Sequence, residues 1–179
     1  MMTIRCTQKL MDHFGEGPTE AETLLGSPPS LGEWYGTLVL YRRTPMALCV
    51  NEKSCYAIVV PLAECASLFT LYIRLAQRIY DAMRRLGIGD DAARRALDEH
   101  RGGVQIAPTD NRSLMGTMNG LAKHLECHLD QRLQHGPIRD AADLDDDLND
   151  VPHKPLGWSN ARERFIELAE GAGPKHCRP

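Results

Sequence analysis

An α+β domain of two layers, a small antiparallel sheet covered by helices, is the fold this 179-residue sequence predicts. Three observations carry that reading. Three β-rich runs, Trp34 to Tyr41, Met46 to Val50 and Cys55 to Val60, are separated by four residues each, too few for the crossover of a dozen or more that parallel neighbours need. They therefore form an antiparallel meander. From Ala66 to Leu86 the hydrophobic period changes from two to helical, with Leu68, Tyr72, Leu75, Ile79, Met83 and Leu86 at steps of four and three and Arg74, Arg78, Asp81 and Arg85 between them. That is a helix laid on a sheet face. Finally, 42% hydrophobic and 25% charged residues suit a globular chain of this length with a real core.

The remaining elements follow in order. Thr3 to Cys6 is a short strand and Gln8 to Phe14 a helical segment ended by Gly15. Residues 16 to 32, with Gly17-Pro18, Gly26, Pro28-Pro29 and Gly32, form a long loop. After the meander Pro61 closes the third run, and Gly87 and Gly89 stop the amphipathic helix. Asp90 caps a second helix through Glu99, and Gly102-Gly103 break it before a strand over Val104 to Ala107. A further helix from Arg112 to Leu133 buries Leu114, Met118, Leu121, Leu125 and Leu129.

Charge divides the chain. Residues 1 to 135 are neutral, and the net charge of −3 lies in the tail. Behind Gly136-Pro137 six aspartates (Asp140, Asp143, Asp145, Asp146, Asp147 and Asp150) fall within eleven positions. The expected organisation is a body over 1–135, an acidic solvated linker over 136–150, and a C-terminal docking arm over 151–179. The arm is an extended strip followed by a short helix capped by Ser159, with Leu156, Trp158, Phe165, Ile166 and Leu168 able to clamp it to the body or a partner. The longest apolar stretch, Tyr56 to Ala63, is interrupted by Pro61 and falls far short of the ~20 residues that cross a bilayer. No signal-peptide pattern opens the chain. A cytoplasmic protein with its six cysteines as thiols and no membrane partner is expected.

One segment breaks local rules. Gly116 and Gly120 lie one turn apart inside the last helix, and each costs about 1 kcal/mol relative to Ala. Three readings bear on that cost. In one, another backbone packs against the glycines. In a second, the helix N-terminus accepts an anion, with Arg112 bidentate to phosphate or carboxylate and Asn111, Ser113, Thr117 and Asn119 adding polar contacts; in the third, the polar residues form an internal network in which Asn111 and Ser113 satisfy neighbouring backbone. The candidate ligand-binding set is thus Asn111, Arg112, Ser113, Gly116, Thr117 and Asn119.

Other chemistry is thinner. His124-x-x-Cys127-His128 offers zinc-type atoms, with His135 two turns on, but a closed structural site draws four ligands from more than one element, so these read as helix surface. The aspartate run lacks the glycine and terminal glutamate of a calcium loop. Neither metal nor cofactor is expected. Cys49 and Cys55 flank a turn and read as buried thiols. Arg42-Arg43 and Arg74, Arg78, Arg84, Arg85, Arg94 and Arg95 are interleaved with Asp81, Asp90, Asp91 and Asp98, which favours a salt-bridged surface over a nucleic-acid face. No phosphate-loop, dinucleotide, nucleophile-elbow or zinc-protease motif occurs, so no catalytic residue is named.

Four strings stand out together: Met2-Thr3-Ile4-Arg5-Cys6-Thr7 followed by Lys9-Leu10, Leu31-Gly32-Glu33-Trp34-Tyr35, Val50-Asn51-Glu52-Lys53, and Asn111-Arg112-Ser113-Leu114-Met115-Gly116-Thr117-Met118-Asn119. Through them most of residues 2 to 130 resembles an uncharacterised bacterial and phage family, domain of unknown function 6933. The resemblance implies a fold and no activity. Leu148-Asn149 through Pro152 to Leu156-Gly157-Trp158-Ser159 is similar to the closing motif of integrase-type transposases, without the catalytic carboxylates of those enzymes. The function these readings support is a non-catalytic binding or interaction module for an anionic ligand or protein partner. The alternative is a small enzyme, phage or mobile-element associated, acting on nucleotides or nucleic acid, with Arg112 stabilising phosphate charge.

Overall fold

Residues Met46–Val50 and Ala57–Val60 are apolar without interruption, the pattern of strands covered on both faces rather than on one. The computed structural model, which describes residues 2–19, 30–101, 103–135, 141–150, 152–153 and 159–171, shows that arrangement. Strands β1 (Met2–Cys6), β2 (Trp34–Tyr41), β3 (Thr44–Asn51), β4 (Ala57–Pro61) and β5 (Val104–Pro108) form one sheet in the order β4-β3-β2-β1-β5. The expected meander is β2-β3-β4, antiparallel throughout. β1 runs parallel to both of its neighbours, with Cys6 level with Gly36 on one side and Pro108 on the other. Long connections carrying helices make these parallel pairs accessible.

Helices lie on both faces. On one, α1 (Gln8–Phe14), α2 (Leu68–Arg85), α3 (Asp90–Arg101) and α6 (Ala161–Ala169) enclose Ile4, Cys6, Trp34, Ala47, Cys49, Ile58 and Val60. On the other, α4 (Arg112–His135) and α5 (Ala141–Asn149) cover Tyr35, Val39, Leu48, Val50, Ala57 and Val59. The α+β class stands, but the layers number three where two were expected, because α4 and α5 claim the second face. Gly36 sits where α1 crosses the sheet: a Cβ there would lie 3.0 Å from Leu10 Cδ2, so glycine sets the close approach of that helix.

The hairpin between β2 and β3 turns through Arg42 and Arg43, whose φ angles of +46° and +72° give the primed geometry that matches strand twist. Arg42 is held by Asp130 (3.2 Å) and by the Tyr41 ring 5.3 Å away.

The acidic stretch corrects the linker expectation over 136–150. Residues 141–149 are helix α5, with Leu144, Asp145, Leu148 and Asn149 buried. The helix closes the outer edge of the sheet with side chains. Asn149 Oδ1 accepts from Ala57 N at 2.7 Å, and its Nδ2 donates to Ala57 O and to Asp145 O, each at 2.7 Å. One turn earlier, Asp145 Oδ1 accepts from Val59 N at 2.8 Å. Its second oxygen pairs with Arg78, with Arg85 at 3.8 Å. Burial pushes the Asp145 carboxyl up to about 7 against the pull of Arg78, Val59 N–H and Arg85. An edge strand is a liability unless covered, and here a carboxylate and an amide at i and i+4 substitute for a sixth strand.

Beyond α5, β6 (Pro152–His153) and β7 (Ser159–Asn160) pair as a two-stranded ladder. The last helix is capped by Asn160, which accepts from Arg162 N at 2.7 Å, one residue later than the Ser159 expected. Its Phe165 stacks on Tyr56 at 4.4 Å and meets Trp34 edge-on at 6.3 Å, so this helix belongs to the body's core. Leu156 and Trp158 lie outside the described residues.

Candidate ligand-binding face at the start of α4

β1 and β5 are adjacent, parallel and in register at their carboxyl ends, Cys6 opposite Pro108. The chain leaves β1 to reach β2 on its other side, so neighbouring parallel strands lie on opposite flanks of β1. In open sheets with helices on both faces, this switch in direction is where ligands bind, beyond the carboxyl ends. The chain leaving β5 turns through Asp110 and enters α4 at that point.

Asn111 caps the helix: its Oδ1 accepts from Leu114 N at 3.1 Å. Its carbonyl accepts from Met115 N at 3.0 Å. Leu114, Met118, Leu121, Leu125 and Leu129 are buried on the stripe the sequence predicts. The opposite face leaves Arg112, Ser113, Gly116, Asn119, Gly120 and Lys123 exposed. Thr117 is half-buried and donates from Oγ1 to Ser113 O at 3.4 Å. Of the six predicted residues, Asn111 and Thr117 therefore serve the helix itself, while Arg112, Ser113, Gly116 and Asn119 share an open surface. Among the described residues Arg112 has no ion pair.

A Cβ placed at Gly116 or Gly120 would meet nothing within 4 Å. Among the described residues, then, no backbone packs against these glycines, the first of the three readings of them. An enzyme working through Arg112 needs a concavity around that side chain. One cavity, about 350 Å³, lies between α2 and α3 against Phe69, Tyr72, Ile73 and Leu97. A second is lined by Tyr80, Arg94, Leu97 and Asp98. Neither includes an α4 residue.

Beside this face is a charged cluster that sequence reasoning did not single out as a site. Arg5 Nε donates to Glu33 Oε2, and Arg5 Nη1 lies 2.9 Å from Asp110 Oδ2 and donates to Pro108 O at 3.2 Å. Tyr35 donates its hydroxyl proton to Asp110 Oδ1 at 2.6 Å, and burial followed by that carboxylate pushes the phenol well above its ordinary range. The signal was available, since Arg5, Glu33 and Tyr35 belong to the strings that carry the family resemblance. Those strings meet here. Asn51 Oδ1 accepts from Lys53 N (3.1 Å), Ser54 N (3.0 Å) and Ser54 Oγ (2.9 Å), while its Nδ2 donates to Leu31 O at 2.8 Å. Gly32, at φ +77°, lets the Lys53 stem cross it: a Cβ would come within 2.8 Å of Lys53 Cε.

The cysteines are placed for packing. Cys49 and Cys55 belong to opposite faces of the sheet and do not meet across the turn. Burial pushes Cys55 up to about 11 and Cys6 up to about 12, which leaves both as unreactive thiols. Along α4, Cys127 is exposed, and among the described residues no three His, Cys, Asp or Glu side chains converge as a metal cage. Burial, reinforced by His128, lowers the pKa of His124.

The family model described as Domain of unknown function (DUF6933) matches residues 3–164. The chain belongs to that family. No curated protein and no solved structure matches. The family's domain crosses the acidic stretch and reaches into α6, so the Asn149 and Asp145 contacts to β4 fall inside it.

Proposed function

We propose that the chain is a non-catalytic binding module whose ligand face comprises the first three turns of α4 at the carboxyl ends of β1 and β5, and that the ligand is phosphate-bearing. One observation carries the reading. The outer face from Arg112 to Lys123 holds those two cations and no carboxylate, around two glycines with open space above them among the described residues. Each glycine costs about 1 kcal/mol in a helix, and nothing within the described chain offsets it. A ligand backbone approaching from outside does, and the unpaired guanidinium supplies the charge. Asp110 is next to the face, but Arg5 and Tyr35 already match its carboxylate. We place the protein in the cytoplasm on the strength of Cys6, Cys49, Cys55 and Cys65, all buried and unpaired.

The test is a thermal-shift series with inorganic phosphate, mononucleotides and short oligonucleotides on the wild-type chain and on Arg112→Ala. At least one phosphate ligand is expected to raise the wild-type midpoint, and the variant to lose most of that rise. Identical responses from both proteins, or no response from either, would remove the reading.

A further inference from the structure

Beyond the glycine-bearing turns, α4 carries His124 and His128 one turn apart, and α5 sets Asp147 beside them. The two Nε2 atoms are 3.0 Å apart and the ring centres 4.5 Å apart, with 59° between the ring planes. His128 Nδ1 lies 3.5 Å from Asp147 Oδ2. Arg132 grips that carboxylate oxygen through Nε at 3.0 Å and Nη2 at 2.6 Å. A carboxylate on that side keeps the His128 proton on Nδ1 and leaves the lone pair on Nε2, turned toward His124.

A straight Nε2–H···Nε2 bond would hold the ring centres about 5.3 Å apart, because each centre lies about 1.15 Å behind its nitrogen along the lone-pair axis. At 4.5 Å the contact is bent instead. Two imidazole nitrogens held by one metal ion each lie about 2.0–2.1 Å from it. Nitrogens 3.0 Å apart at that range subtend about 80–100°. A tetrahedral zinc ion asks for ~109°, whereas tetragonal ions place adjacent nitrogens near a right angle.

We infer that His124 and His128 chelate a divalent ion with right-angled nitrogen preference, Cu²⁺ or Ni²⁺, with water completing the shell and Asp147 orienting His128 from behind. Among the described residues no third protein ligand joins them. The site is therefore open and spans one helical turn, and both rings are part-exposed, so an ion can reach it. Asp143 and Asp147 on α5 outnumber Arg132 at this rim and favour a cation. Cys127, between the two histidines in sequence, is exposed and forms no part of the pair.

The experiment uses the full chain without an affinity tag and with Cys127→Ser, so that the thiol makes no contribution. Ni²⁺ is titrated calorimetrically at pH 7.5, and the Cu²⁺-loaded protein is examined by electron paramagnetic resonance. One equivalent is expected to bind, with two imidazole nitrogens in the Cu²⁺ spectrum. Either His124→Ala or His128→Gln should weaken Ni²⁺ binding at least tenfold and leave one nitrogen. Asp147→Asn should weaken it about tenfold with both nitrogens kept. Circular dichroism checks that each variant is folded. Unchanged affinity and nitrogen count in the double histidine variant would overturn the inference. So would binding that disappears with Cys127→Ser, or no heat up to about 1 mM Ni²⁺, which leaves the histidines as a bent hydrogen-bonded pair.

Discussion

Replacing Asn149 with alanine deletes the amide that closes the outer edge of the sheet, and the structure sets the size of the effect. Asn149 is fully buried, and its side chain satisfies both the N–H and the C=O of Ala57, themselves buried. Each backbone group left without a partner costs about 1–3 kcal/mol, so the pair costs about 2–6 kcal/mol before any cavity is counted. For a chain of this size a kcal/mol moves the melting temperature by about 2–4 °C, so a central loss of about 4 kcal/mol lowers it by roughly 8–16 °C. Asn149→Asp retains an acceptor for Ala57 N but turns a buried negative charge on Ala57 O, and it should be no less damaging at neutral pH. Asp143→Ala, at an exposed position on the same helix whose ion pair with Arg132 faces water, should change stability by less than about 1 kcal/mol. Urea denaturation and native-state hydrogen exchange measure this directly, the second by loss of protection at the Ala57 amide. If Asn149→Ala and Asp143→Ala both shift stability by less than about 1 kcal/mol, α5 does not clasp β4 and the acidic segment is a solvated linker after all.

Two further outcomes follow from the same coordinates. Gly116→Ala and Gly120→Ala fill open space on a helix, so each should raise stability by about 0.5–1 kcal/mol while reducing any phosphate-dependent thermal shift; a loss of stability would show that something covers that face. Asp145, whose carboxyl is raised from 3.8 to about 7, binds a proton more tightly folded than unfolded. Its contribution to stability is complete below about pH 4 and falls away as pH rises to 7. Denaturation midpoints from pH 4 to 8 should therefore show the wild type losing ground to Asp145→Asn across that window and holding a constant difference above it. Parallel pH profiles would contradict the buried placement of Asp145.

Much of the fold was legible because it rests on short-range periodicity. The meander spacing, the α2 stripe and the Leu114 to Leu129 stripe of α4 each record which side of an element meets the core, and all were found as read. The uninterrupted apolar runs of β3 and β4 also recorded that the sheet is covered twice, but run composition alone does not say what provides the second cover. The acidic segment misled for a physical reason. Its six aspartates read as solvated when counted, and only position separates Asp145, which meets Val59 N and Arg78, from Asp143, which faces water. Of the residues the sequence offered as a ligand set, Arg112, Ser113, Gly116 and Asn119 are exposed, whereas Asn111 and Thr117 are consumed in capping and within-helix bonding.

By itself the sequence determined the meander, α2 and α4 and the inward stripes of those helices, since amphipathic period and turn chemistry act over a few residues, but not helix α5. It also contained the strings that mark the family. Tertiary structure alone decided that β1 lies between two parallel partners, that Arg5, Glu33, Tyr35 and Asp110 meet beside α4, that an aspartate and an asparagine finish a sheet edge, and that the His124 and His128 nitrogens stand 3.0 Å apart beside Asp147. These are contacts between residues tens of positions apart, or choices among rotamers set by such contacts. Their energies depend on burial and on the angle between groups, which no local pattern of residue types encodes.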